Sequence, residues 1–206
     1  MKEQGQSVNE SQELVIPEVK DSVLKSLDLL SSLLTENEFD LLALLIKDTK
    51  SLSTKSIRLE LMLKKHYFHA PGPHKQWAYD TFKNNIGVNK KPVGVLYKEI
   101  EQKLKKNNID VPSYETIDKL LQALEKLGIV LRRFDDTKGV KYLWSVNPNF
   151  LRAVGDRREA IRQELFNCGI EEIQSIAERY DEKMLFGIYG LNYHNITLQR
   201  RQYSTD

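Results

Sequence analysis

One cysteine in 206 residues is too few for an intrachain disulfide or a cysteine-rich zinc site, and Cys168 reads as packing rather than as a nucleophile. Such sparse usage fits a reducing compartment. No run approaches eighteen consecutive apolar residues, so the sequence offers no membrane-spanning candidate. The opening residues MKEQGQSVNESQE are polar where a signal peptide needs a hydrophobic segment, which leads to the expectation of a cytoplasmic protein with no membrane association. No Ser/His/Asp order, Cys/His pairing or carboxylate dyad stands out. Neither catalysis nor a cofactor is expected. His66, His69 and His74, in HYFHAPGPH, suggest a metal set only superficially, because no acidic residue or cysteine lies close by and Pro-Gly-Pro leaves the third histidine unconstrained. They read as packing with Tyr67, Phe68 and Trp77, or as surface.

What is present is an ordinary globular composition, 40% hydrophobic and 29% charged, with enough length for one domain or two small ones. The net charge of +2 hides a segregation. Residues 1–46 carry −6 (three basic against nine acidic), residues 47–150 carry +9 (twenty against eleven), and residues 151–206 carry −1 (eight against nine). A basic block between acidic and neutral flanks is what a phosphate-binding surface requires, since each cation placed on a phosphate releases counterions. The same block would also serve as a solvated lysine-rich surface.

Residues 1–20 lack periodicity and are expected to be disordered or loosely attached. Val23, Leu27, Leu30 and Leu34 recur at helical spacing and predict a short amphipathic helix. In TENE, Thr35 and Glu38 form a capping box, followed by a stripe of Phe39, Leu42, Leu45 and Ile46 that ends near Asp48. SLSTKSIRLELMLKK fits a helix capped by Ser53, although Ile57, Leu59, Leu61 and Leu63 also alternate as in a strand. HAPGPH reads as a loop and QWAYDTFKNNIG as a helix ending at Gly87.

The clearest pattern spans residues 93–146: helix, turn, helix and β-hairpin. Leu96, Ile100 and Leu104 share one face of the first helix, which Asn107 and Asn108 can end. Val111 before Pro112 is pushed into extended geometry, and Ser113 is placed to cap the next helix. That helix, Tyr114 to Leu127, buries Ile117, Leu120, Leu121, Leu124 and Leu127 and stops at Gly128. Glu115, Lys119, Gln122 and Lys126 fall on the opposite face. After Gly128 the period becomes alternating: IVLRRF, a DDTKG loop, then VKYLWSV with Val140, Tyr142, Trp144 and Val146 on one face. The fold class expected is mainly α, a winged helix-turn-helix over residues 21–150 with a helical insertion at 49–92. A C-terminal helical extension and polar tail occupy 151–206.

The DNA-contacting residues expected from this arrangement are Ser113, Tyr114, Thr116, Lys119, Gln122 and Lys126 on the recognition helix (114–127). Arg132, Arg133, Lys138 and Lys141 join them on the wing (129–146). Glu115 and Asp118 would repel phosphates unless each accepts from a cytosine amino group or pairs with Lys119 or Gln122. VLYKEIEQKL, VPSYETIDKLLQALEKLGIV and the hairpin resemble the C-terminal winged helix of archaeal origin-recognition-type replication initiators, and TENEFDLLALLIK resembles that module's first helix. The resemblance covers about a third of the chain. It implies a winged-helix fold and DNA binding through the helix from Tyr114 and the wing at Asp135 to Gly139. ATP-driven loading is not implied, because no GxxxxGK[ST] phosphate loop exists.

Double-stranded DNA is thus the expected partner, for a transcriptional regulator or a replication or partition factor associated with the nucleoid. The alternative is a winged helix used as a protein-interaction module. In the last 56 residues Ile161, Leu165 and Cys168 form one stripe, and Ile173, Ile176, Ala177, Tyr180 and Met184 another. Their helices either pack on the winged helix or pair in a homodimer.

Overall fold

The computed structural model of the chain describes residues 16–48, 50–68, 93–135 and 142–203. The N-terminal helical pattern is realised as a broken run: α1 (Asp21–Lys25), a 3-10 turn (Leu27–Leu29) and α2 (Leu30–Leu33). Val23, Leu27 and Leu30 are buried by it, as their spacing requires, whereas Leu29 and Leu33 stay exposed. The capping box forms as expected at the start of α3 (Glu36–Lys47): the Thr35 N–H donates to Glu38 Oε2 at 2.8 Å and the Glu38 N–H to Thr35 Oγ1 at 3.4 Å.

Residues 49–92, read from sequence as an insertion, contribute in part to the body of the molecule. A two-residue strand, β1 (Leu52–Ser53), leads directly into α4 (Thr54–Phe68), whose N–H at Ser56 is capped by Ser53 Oγ at 3.1 Å. The strand-like alternation in this stretch has a helical cause. Ile57 and Leu61 lie one turn apart and enter the main core, while Leu59, Met62 and Leu63 point away from it into a second, smaller cluster. The partners in that cluster are Ile100 and Leu104 of α5 (Val93–Lys106), with Ile109 and Val111 beyond it. A helix wedged between two cores carries apolar residues on two sides, and over a short window that imitates period two. The predicted HAPGPH loop and the helix at QWAYDTFKNNIG lie outside the described residues.

Helix α5 ends where the asparagines placed it, with Asn108 left-handed at φ +53° and the Ile109 N–H returning to the Leu104 carbonyl at 2.9 Å. Helix α6 (Tyr114–Lys126) begins at Ser113, whose Oγ accepts from the Thr116 N–H at 3.1 Å. The hairpin follows as β2 (Val130–Phe134) and β3 (Tyr142–Val146). Strand β3 is central, with β2 on one side and β1 on the other, all antiparallel. Opposed pairs Val130↔Val146, Arg132↔Trp144 and Phe134↔Tyr142 share one face. That face runs from core to solvent: Val130 and Trp144 are fully buried, whereas Phe134 and Tyr142 are exposed and meet edge to face at 6.0 Å.

The C-terminal residues are integral to the same core. Helix α7 (Pro148–Asn167) contributes Phe150, Val154, Ile161 and Leu165, and these join Leu41, Leu42, Ile117 and Trp144 in one cluster. The stripe from Ile173 to Met184, which suggests one continuous helix, is broken into a 3-10 turn (Ile170–Glu172), α8 (Ile173–Glu178) and a π-helical turn (Met184–Ile188). Asp181 causes the break, because its Oδ1 accepts from the N–H groups of Lys183 at 2.8 Å and Met184 at 3.3 Å and starts a new turn. The stretch expected as a polar tail is largely helical, α9 (Tyr193–Tyr203), with Ile196 buried and Arg200 Nη1 on the Leu165 carbonyl at 3.1 Å. The two apolar stripes that suggested pairing across a two-fold axis are therefore covered within the chain.

At the end of the N-terminal segment, residues 16–20 are mostly exposed but touch the body of the molecule: Val19 is buried, the Lys20 N–H donates to the Leu127 carbonyl at 3.3 Å, and Asn147 Nδ2 donates to the Pro17 carbonyl at 2.8 Å. Residues 1–15 lie outside the described ones. Among the described residues no helix is long and apolar enough to cross a membrane.

Candidate nucleic-acid interface

Helix α4 holds the turn that launches α6. The buried Arg58 donates through Nε to the Pro112 carbonyl at 2.8 Å, reaches Glu101 at 3.4 Å, and lies 4.8 Å from the centre of the Tyr114 ring. Seven residues further on, Lys65 Nζ donates to the Asp110 carbonyl at 3.0 Å. Two cations on one helix thus clamp both ends of the IDVP connection, and with the Ser113 cap they set the start of α6. A burial of this kind is tolerated for an arginine because its guanidinium finds acceptors, here the Pro112 carbonyl and the Glu101 carboxylate.

From that start, Ile117, Leu121 and Leu124 are buried in the core, Leu120 packs half-buried against it, and the opposite side of the helix faces solvent. Ser113, Tyr114, Thr116, Lys119, Gln122 and Lys126, the six helix residues singled out from sequence, are all exposed. They form one surface running from the helix N-terminus to its last turn. The two acidic residues on it are paired internally, the outcome that spacing i, i+4 allowed: Lys119 Nζ lies 2.8 Å from Glu115 Oε1, and Gln122 Nε2 donates to Asp118 Oδ2 at 3.0 Å. The Glu115 carboxyl is held below its ordinary range by the hydrogen bond from Lys119 and by its charge.

The hairpin is tied to this helix. Arg132 Nε donates to Glu125 Oε1 at 3.1 Å, and the guanidinium lies 5.1 Å from the Tyr142 ring centre and 5.8 Å from that of Trp144. Arg132, expected as a phosphate contact, is exposed and also serves as a bracket between β2 and α6. Arg133, one position on, points to the other face and is exposed. Lys138 and Lys141, with most of the predicted wing loop, lie outside the described residues, as do His69, His74 and the side chain of His66. Among the described residues no group of three or more His, Cys, Asp and Glu side chains could hold a metal ion.

Two features of this surface escape sequence reasoning. One is Arg58, whose partners lie more than forty residues away in the chain. The other is a polar connection under the helix: Trp144 Nε1 donates to Thr54 Oγ1 at 3.2 Å, and Thr54 Oγ1 lies 3.5 Å from Asp118 Oδ1. A fully buried tryptophan needs a partner for its N–H, which signals that some acceptor must exist without saying which. Comparison with known protein families, with curated proteins and with solved structures finds no match to this chain.

Proposed function

We propose that this chain binds double-stranded DNA as a winged-helix protein, acting as a transcriptional regulator or a replication or partition factor. The observation that carries the reading is an order and an exposure together: helix, clamped turn, helix and hairpin, with Tyr114, Thr116, Lys119, Gln122 and Lys126 outward on the second helix and Arg133 outward on the hairpin. A helix carrying short polar and cationic side chains along its outer face has the form needed to enter a major groove, and a hairpin beside it has the form needed to lie along the backbone. The +9 charge of residues 47–150 supports it by concentrating cations in the part of the chain that holds this surface.

The test is duplex binding as a function of salt. Affinity is expected to fall steeply between about 50 and 200 mM salt, and Arg133→Ala is expected to flatten the log–log slope by about 1 through the loss of one phosphate contact. No binding at the low end of that range contradicts the proposal. A second reading, a protein-interaction module, is favoured by the internal neutralisation of Lys119 by Glu115 and of Arg132 by Glu125. Under that reading a stoichiometric protein partner survives charge reversal at Lys119 and Arg133.

A further inference from the structure

We propose that Asp118 is a positioning residue that fixes the Gln122 amide with one edge outward, so that α6 reads an adenine at one position. The inference rests on the DNA-binding reading above and adds the base that is read.

The argument follows the polarity of four hydrogen-bonding groups. The Trp144 indole N–H can only donate, and with Trp144 fully buried that donor is satisfied by Thr54 Oγ1 at 3.2 Å. The Thr54 hydroxyl, having accepted there, turns its own hydrogen toward Asp118 Oδ1 at 3.5 Å, the long limit of a hydrogen bond. A carboxylate can only accept, so the atom of Gln122 that meets Asp118 Oδ2 at 3.0 Å must be the amide nitrogen. The Asp118 carboxylate, which can only accept, sets the direction of both bonds made to it.

Gln122 is exposed and sits in the middle of α6, between Lys119 and Lys126 on the outward face. With one N–H held by Asp118, its amide offers the carbonyl oxygen and the remaining N–H side by side. An acceptor next to a donor complements the N6 amino group and N7 of adenine in the major groove. Guanine presents N7 and O6, two acceptors, and O6 would face the glutamine carbonyl. The pairing therefore discriminates between the two purines, on the order of tenfold or more for a bidentate contact.

Replacing the carboxylate by an amide frees the Gln122 side chain. In Asp118→Asn the new side chain can meet Gln122 with either its oxygen or its NH₂, because the Thr54 hydroxyl keeps a lone pair with which to accept, so Gln122 is no longer held to one edge. Selection of bound sequences from a randomised duplex library, run on the full chain, reads this directly. Gln122→Ala identifies the position that Gln122 contacts by losing the preference there.

The expected result is adenine at that position for the wild type and a weakened adenine preference for both Asp118→Asn and Asp118→Ala. Loss of a negative charge alone would raise affinity for all sequences alike and leave the base preference unchanged, so an adenine preference undiminished in both variants overturns the proposal. Duplex binding with no base selected by the wild type also overturns it, while leaving DNA binding intact. Absence of duplex binding at low salt removes the underlying reading and the inference with it.

Discussion

At Gly128 the backbone turns left-handed, φ +75°, between the end of α6 and the start of β2. The N-terminal segment crosses so close that a Cβ at this position would stand 2.5 Å from the Glu18 carbonyl oxygen. Two independent constraints meet at one residue, conformation and space. Gly128→Ala is therefore expected to cost more than the roughly 1–2 kcal/mol of a left-handed alanine alone, because the neighbouring atom is backbone and cannot swing away. Urea denaturation followed by tryptophan fluorescence measures this, and a loss below that range would mean that residues 16–20 readily move aside. Asn147, next to the same crossing, binds the two strands of chain together: its Nδ2 donates to the Pro17 and Gly128 carbonyls, both at 2.8 Å, and its Oδ1 accepts from the Asn149 N–H at 2.9 Å to cap α7.

Helix α6 depends on its first turn. The Ser113 Oγ is the acceptor for one of the N–H groups that a helix start leaves unpaired, and the Arg58 and Lys65 contacts hold the preceding carbonyls. Ser113→Ala is expected to destabilise the protein by about 1 kcal/mol and Ser113→Asp to restore most of it, because a carboxylate both accepts the N–H and suits the helix dipole. Thermal denaturation by circular dichroism compares the two. An aspartate variant no better than alanine would show that the clamp from α4 alone sets the helix start. If DNA lies against this end of the helix, the same aspartate is expected to weaken duplex binding while improving stability, a separation that a purely structural role does not produce.

Across the molecule, the N-terminal run and the C-terminal helices are joined through Asp28. Arg157 Nε lies 3.0 and 2.9 Å from its two oxygens, and the Tyr189 hydroxyl donates to it at 2.6 Å. Burial would raise the carboxyl, but the hydrogen bonds from Arg157 and Tyr189 and the arginine charge outweigh it and hold Asp28 below the usual range. Burial and then the bond to Asp28 push the Tyr189 phenol upward, so it stays a donor at every working pH. A depressed folded-state pKa stabilises the protein above the ordinary aspartate value of about 3.9 and ceases to do so as pH falls through the lower folded value. Asp28→Asn is accordingly expected to lower the denaturation midpoint near neutral pH. The difference from wild type should shrink in strong acid, where Asp28 is protonated in both states. A gap that stays constant down to the lowest pH would place the effect in packing instead of charge.

What the amino-acid sequence determined by itself was settled within a turn or two of chain, although not every local device was legible, as the Asp181 break shows. The Thr35–Glu38 box, the Ser113 cap, the ends at Asn108 and Gly128, and the change from helical to alternating period after Gly128 all depend on neighbours, and all stand where local chemistry puts them. The exposed face of α6 was legible for the same reason, since a 3.6-residue period assigns inside and outside without knowledge of the partner. Only the tertiary structure decided the rest. Strand β1 is two residues long and exists because β3 offers it an edge, and α9, in which Ile196 alone is buried among the described side chains, forms against α7 and α8. Arg58 finds Pro112 across 54 residues, Trp144 finds Thr54 across 90, and Arg157 finds Asp28 across 129. No local pattern marks such pairs, because each side chain is an ordinary surface or core type until folding removes water from around it and makes one distant partner the group that satisfies it.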